Sequence, residues 1–179
     1  MKVLKQFNIP FVGLTEGIHL FEYNIDNTFF EAFNYDEFEN SSLDIKLEFV
    51  KKSTLFELTF SALGTVNVPC DSTSEYYDQQ ITTVLPLVIK FGPEFNDDNE
   101  EILILPHEAF QLDVSQFIYE MIVLGQPSRR VHPKVLDGTM ESKALEKLKE
   151  LQLKEEKTVD EPADPRWNKL KNLITEKNT

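Results

Sequence analysis

Residues 42–64, SLDIKLEFVKKSTLFELTFSALG, constrain the fold more than any other part of the chain. Ile45, Leu47 and Phe49 alternate with Lys46 and Glu48. Beyond the polar link KKST, residues Phe56, Leu58, Phe60 and Ala62 alternate with Glu57, Thr59 and Ser61. A strand sends successive side chains to opposite faces, so each run is a strand with one apolar face. The short link joins the two as an antiparallel hairpin that needs a core on one side only.

Other segments extend this sheet. TVNVPC (65–70) reads as an extension of this sheet, and QQITTVLPLVIKFG (79–92) and EEILILPH (100–107) as further strands. Pro86 lacks an N–H and assigns part of the former to an edge or a bulge. EGIHLFEYNID (16–26) reads as an earlier strand, and NTFFEAFN (27–34) as a short helix or an irregular crossover. The period then changes. In LDVSQFIYEMIVLGQP, Val114, Phe117, Ile118, Met121 and Ile122 recur at helical spacing. Asp113 is placed to cap this helix, with Gln116 three residues on as in a capping box, and Gly125 and Pro127 stop it. The expectation is an α+β body: an antiparallel β-sheet or partly open barrel closed by the helix near 113–124, followed by a partly helical charged tail.

Charge divides the chain in two. The formal net charge is −13, yet residues 1–127 hold 6 Lys and Arg against 21 Asp and Glu, and residues 128–179 hold 12 against 10. The predicted organisation is an acidic β-rich body, 1–127, and a linker with a partly helical basic and amphipathic tail, 128–179. Within the latter, SRRVHPKVLDGTM (128–140) has no apolar period and reads as a linker. ESKALEKLKELQLKEEK (141–157) reads as a helix with a narrow stripe of Ala144, Leu148 and Leu151. After a second linker comes ADPRWNKLKNLITEKNT (163–179), which holds the protein's one tryptophan. Asp164 is an N-cap and Pro165 suits the first helical position. Trp167, Leu170 and Ile174 form one apolar edge with Leu173 beside it, and Arg166, Lys169 and Lys171 supply positive charge. The predicted element is a short basic helix with a Trp anchor.

The composition excludes several chemistries. A whole surface of this charge is unsuited to coating nucleic acid, which needs clustered Lys and Arg. The single cysteine, Cys70, excludes an intrachain disulfide and any multi-cysteine metal site. His19, His107 and His132 are far apart, and the acidic run EFNDDNEE (94–101) lacks the ligand spacing of a calcium loop, reading instead as a solvated turn between strands. No G-x-G-x-x-G, Walker A or G-x-S-x-G stretch is present, so no cofactor, metal or catalytic residue is assigned. A catalytic thiol at Cys70 requires a His base and a third group brought together by the fold. The N-terminus has no apolar signal region and no stretch is long and apolar enough for a membrane span, so a cytoplasmic protein is expected. Arg129 and Arg130 form a small basic spot after the body, a candidate phosphate contact.

The order of pieces resembles a known family. A Phe-rich strand body, VPCD after a hairpin, an acidic stretch before EEILILPHEAFQLDVSQFIYEMIVLGQP, a charged linker and a terminal DPRWNKLKNL resemble the YceD family, the large ribosomal RNA subunit accumulation proteins of bacteria, in a variant like those of the Bacteroidetes lineage. The segment FQLDVSQFIYEMIVLGQP and Asp164, Pro165, Arg166, Trp167, Leu170 and Leu173 carry most of the likeness. The resemblance implies a role in accumulation of large-subunit rRNA and no enzymatic activity. Many members carry C-x-R-C where this chain has CDST: Cys70 matches the first cysteine, Ser72 replaces the Arg and Thr73 stands where the second cysteine would be.

Three function classes follow. The first is a non-enzymatic ribosome-assembly factor whose acidic body binds a large-subunit ribosomal protein or pre-ribosomal particle. Its tail motif (Asp164, Pro165, Arg166, Trp167, Lys169, Leu170, Leu173) binds protein or rRNA, with Arg129 and Arg130 as further rRNA contacts. The second is a general acidic adaptor with indirect effects on rRNA, and the third a small enzyme built on Cys70.

Overall fold

The computed structural model describes residues 3–99 and 102–156, and the predicted Trp-anchored element, 163–179, lies outside them. The chain divides into two units, Met1–Thr139 and Met140–Thr179. In the first, the element order is a 3₁₀ turn at Val3–Phe7, β1 (Asn8–Ile9), a 3₁₀ turn at Phe11–Gly13, β2 (Gly17–Ile25), α1 (Asn27–Ala32), β3 (Asn40–Lys51), β4 (Leu55–Pro69), β5 (Tyr76–Gly92), β6 (Asn96–Asn99), β7 (Ile102–Pro106), β8 (Leu112–Asp113), α2 (Ser115–Leu124) and α3 (Pro133–Leu136). The second unit holds α4 (Lys143–Glu156).

The hairpin that dominates the sequence is the centre of the fold. β3 and β4 pair antiparallel from Asn40↔Asn67 to Lys51↔Phe56. Ile45, Leu47, Phe49, Phe56, Leu58, Phe60 and Ala62 are all at most 3% exposed, so the alternation read from the sequence selects the inner face. Gly64 lies opposite Leu43, where a Cβ would stand 2.2 Å from the Ser42 carbonyl oxygen. Lys52 and Glu57 form an ion pair across the connecting turn.

The main sheet has six strands in the order β2-β3-β4-β5-β7-β6, and β1 and β8 form a separate antiparallel pair. The sheet is open. β2 and β6 are its two edges, and the inner face is covered by other elements instead of by closure on itself, which corrects the expected barrel. It is also not wholly antiparallel: β7 runs parallel to β5 from Val88↔Ile102 to Gly92↔Pro106. The acidic segment that reads as a solvated turn supplies the reason. It forms β6, an edge strand antiparallel to β7, so the chain travels past β7's place and returns into it. Asn and Asp are poor strand formers, and this strand exists by pairing with β7. Its acidic, exposed residues suit an edge, where charge discourages pairing with other chains.

Aromatic side chains fill the covered side. Phe7 packs on Tyr23 and Phe29, and Phe11 on Phe56 and Phe91. Lys51 donates from Nζ to the Phe11 and Leu14 carbonyls at 2.9 and 2.8 Å, tying the N-terminal segment to the end of β3. α1 settles the choice left open for residues 27–34. Asp26 caps it by accepting the Thr28 N–H at 3.0 Å, and it buries Phe29 and Phe30. Phe33 stacks on Tyr119 of α2 with ring centroids 4.5 Å apart.

α2 buries Ile118, Met121 and Ile122, with Val114 just before it also buried, and Phe117 packs towards Phe60. The N-cap position of the helix falls at Val114, which makes no side-chain cap bond, and the expected cap Asp113 accepts the Ser115 N–H at 2.9 Å from one residue before it. Gln116 turns instead to Glu120 at 2.6 Å, so the second half of the expected capping box does not form. Gly125 ends the helix with an ordinary φ of −72°. Its use is close approach, since a Cβ would lie 2.9 Å from the Thr83 side chain. In the second unit, Ser142 accepts the Ala144 N–H from its hydroxyl at 3.2 Å at the start of α4, and Leu148 and Leu151 are exposed.

Candidate functional site

Two places in the first unit carry features beyond packing. One is the connection between β4 and β5. Cys70, Asp71, Ser72, Thr73, Ser74 and Glu75 turn the chain, with the Cys70 N–H donating to the Glu75 carbonyl and the Ser74 N–H to the Cys70 carbonyl, both at 2.8 Å. Ser74 takes a left-handed φ of 60° within this tight turn.

The segment after α2 folds against that turn. The Asp71 N–H donates to the Arg130 carbonyl at 2.8 Å, and the Arg130 N–H donates to Asp71 Oδ2 at 2.7 Å. The Arg130 guanidinium reaches Asp71 and Glu37 at 3.5 and 3.4 Å. The His132 N–H donates to Cys70 Sγ at 3.3 Å. His132 then starts α3 by accepting the Lys134 N–H at Nδ1, while its ring lies 5.3 Å from that of Tyr77. Residues 128–136, which read as linker, are therefore a strap whose backbone N–H groups are held by the side chains of Asp71 and Cys70 some 60 positions away in the chain, a relation that no local pattern encodes.

The electrostatics of Cys70 follow from this arrangement. Burial raises the thiol's pKa, but the donors around the sulfur outweigh it: the His132 N–H first, then the Thr73 hydroxyl and the Ser72 and Thr73 N–H groups. The net effect is a pKa below the ordinary thiol value. The side chain is only 1% exposed, and residue 132 meets the sulfur through its backbone N–H, with the imidazole turned to Lys134. This geometry makes the sulfur an anchor for the strap. Thr73 serves the same sulfur with its hydroxyl. Among the described residues no three His, Cys, Asp or Glu side chains are grouped to hold a metal ion.

Of the two arginines singled out in the sequence, Arg129 is exposed and Arg130 is half-buried in its ion pairs. Removing the guanidinium in Arg130→Ala is expected to destabilise the strap by about 1 kcal/mol, typical of a partly exposed charged hydrogen-bond pair. Loosening the strap uncovers the sulfur. Native-state labelling of Cys70 with a thiol reagent should then run several-fold faster than in the wild type, with the global urea midpoint shifted little. Unchanged labelling would mean that the strap does not cover Cys70. The tail residues Asp164, Pro165, Arg166, Trp167, Lys169, Leu170 and Leu173 lie outside the described residues.

The second place is a groove of about 820 Å³ between α2, the free edge of β5 and the β6–β7 pair. β7 borders β5 only from Val88 onwards, so β5 at Thr83–Leu87 has β4 on one side and no strand on the other among the described residues. Thr83 and Leu85 have the parity of the inner face, like buried Ile81, Leu87 and Ile89, yet both are only half-buried. The inner face is incompletely covered here. Pro86 sits in this unpaired stretch, where its missing N–H is tolerated. Val84, Phe95 and Leu124 line the groove and are 61%, 55% and 81% exposed. Sequence reading misses these residues because it stops at the periodic stripe. The available signal was large apolar residues at positions assigned to solvent, above all Phe95 in an otherwise polar segment.

A family profile described as "Large ribosomal RNA subunit accumulation protein YceD" matches residues 58–174, about two thirds of the chain. The chain belongs to this family. The YceD match starts inside β4 and takes in Cys70, the strap, α2 and the tail motif. It associates the chain with large-subunit rRNA accumulation, and YceD is not a known enzyme family. No curated protein and no solved structure matches the chain. Among the described residues no helix is long and apolar enough to cross a membrane.

Proposed function

We propose that this chain is a non-enzymatic, cytoplasmic factor in large-ribosomal-subunit biogenesis, acting by binding a large-subunit ribosomal protein or a pre-ribosomal particle, with rRNA contact through the tail. The observation that carries the reading is the YceD match over residues 58–174. The charge distribution supports it. An acidic body repels phosphate and attracts basic ribosomal proteins, and complementary charge speeds encounter and suppresses wrong partners. The basic tail motif, with Trp167 as anchor, has the composition of a docking peptide for a groove or an exposed base. Arg130 is engaged with Asp71 and Glu37, so phosphate contact near the strap falls to Arg129. A buried Cys70 whose sulfur accepts backbone N–H groups fits an anchoring role better than catalysis.

Pull-down with the tagged full-length chain tests the proposal. Precursors of the large subunit, or individual large-subunit proteins, should be enriched over small-subunit components. Enrichment of neither contradicts it. The net charge of −13 favours one second reading, a general acidic adaptor. That reading requires binding to basic proteins without preference and its loss at moderate salt.

A further inference from the structure

We infer that the groove between α2 and the free edge of β5 is the docking site for a Lys- or Arg-bearing segment of a protein partner that inserts apolar side chains. The inference deepens the proposed function and rests on it, since it names the place and the chemistry of one of its contacts.

Two observations carry it. The first is incomplete coverage. Leu85 stands on the inner face of the main sheet yet is half-buried, and Val84, Phe95 and Leu124 line the same groove with most of their surface open. Three large apolar side chains around one concave surface form an exposed patch of the kind that marks an interaction site. Elsewhere the same face is closed by the N-terminal segment, α1 and α2, so the exposure is local to this groove. The second observation is sign of charge. Asp97, Asp113 and Glu120 line the groove, all exposed, and no Lys or Arg lines it among the described residues. Asp113 also accepts the Ser115 N–H and Glu120 accepts from Gln116, which fixes these carboxylates in place. An apolar floor with an acidic rim is complementary to a basic segment with apolar anchors. The same rim disfavours phosphate, so RNA is a poor occupant.

The test uses the full-length chain and, as probe, total protein extracted from large ribosomal subunits and freed of rRNA. Leu124→Glu places a charge in the apolar floor, and the pair Asp97→Lys, Glu120→Lys reverses the rim. Both alter exposed side chains, and a urea melt of each confirms that the body still folds. The wild type should retain one or a few basic proteins. Retention should fall at least tenfold in either variant, while Leu20→Glu, an exposed position on β2 at the far edge of the sheet, leaves it unchanged. Equal retention by wild type and groove variants overturns the inference and leaves the ribosomal reading standing. A wild type that retains nothing from this extract contradicts that reading as well. Two other occupants overturn the inference in recognisable ways. If a second copy fills the groove, the wild type sediments as a dimer and Leu124→Glu as a monomer. If the chain's own residues 163–179 fill it, their deletion increases retention of basic proteins.

Discussion

Gly64→Val is expected to lower the melting temperature by roughly 10 °C, corresponding to a loss of about 3 kcal/mol. The cause is local and steric. Gly64 faces Leu43 in the central β3–β4 pair, and a Cβ added there would lie 2.2 Å from the Ser42 carbonyl oxygen and 2.6 Å from the Leu43 Cα. Both are backbone atoms of β3 inside its antiparallel pairing with β4, so no side-chain rotation relieves the contact. The strands must separate, which lengthens ladder hydrogen bonds on both sides and disturbs the buried row of Leu43, Ile45 and Leu47. Gly13 supplies the control. Nothing lies within 4 Å of a Cβ there, so Gly13→Ala should stay within about 0.5 kcal/mol of the wild type. Thermal unfolding followed by far-UV circular dichroism distinguishes the cases. A Gly64→Val protein that melts within 2 °C of the wild type would show that β3 and β4 do not approach as described, roughly the shift of a typical surface change.

The second large effect concerns the tail. Trp167→Ala should weaken retention of the chain on precursors of the large subunit roughly 30-fold, the equivalent of about 2 kcal/mol for a Trp hot spot. Trp167 is the protein's one tryptophan and stands among Arg166, Lys169 and Lys171 in a chain of net charge −13. Asp164 and Pro165 have the residue types that start a helix, and Leu170 follows at the spacing of one face. The YceD match, which extends to residue 174, includes this motif. The melting temperature of the first unit separates binding from folding. A loss of retention with an unchanged melt assigns Trp167 to the partner, whereas a lowered melt with full retention makes it a part of the chain's own packing.

The strands with one buried face were legible in the sequence because a period of two leaves a direct trace. Ile45, Leu47 and Phe49, then Phe56, Leu58 and Phe60, are the apolar members of each alternation and are all buried. α2 was legible for the same reason at a period of 3.6, although its N-cap falls at Val114, one residue beyond the expected Asp113. Three features were not. β6 is built of Asn and Asp, whose strand propensity is poor, so only its pairing with β7 reveals it. The parallel placement of β7 depends on that detour. The strap depends on backbone groups of Arg130 and His132 meeting Asp71 and the Cys70 sulfur, and main-chain contacts leave no side-chain pattern to read. The groove is a property of what the elements fail to cover, and it is visible only once α2, β5 and β7 are placed together. Cys70 shows the limit from the other side. Its sequence context permits a nucleophile, and its donors lower the thiol pKa, but 1% exposure removes it from any substrate in the folded protein.

The central claim, that this chain supports accumulation of the large subunit's RNA by binding and not by catalysis, meets its most direct test in cells that lack it. The ratio of large-subunit to small-subunit rRNA, measured in total RNA from the deletion strain, should fall. Wild-type protein and Cys70→Ala should both restore it, and Trp167→Ala should not. An unchanged ratio in the deletion strain, or restoration that requires the Cys70 thiol, would contradict the account.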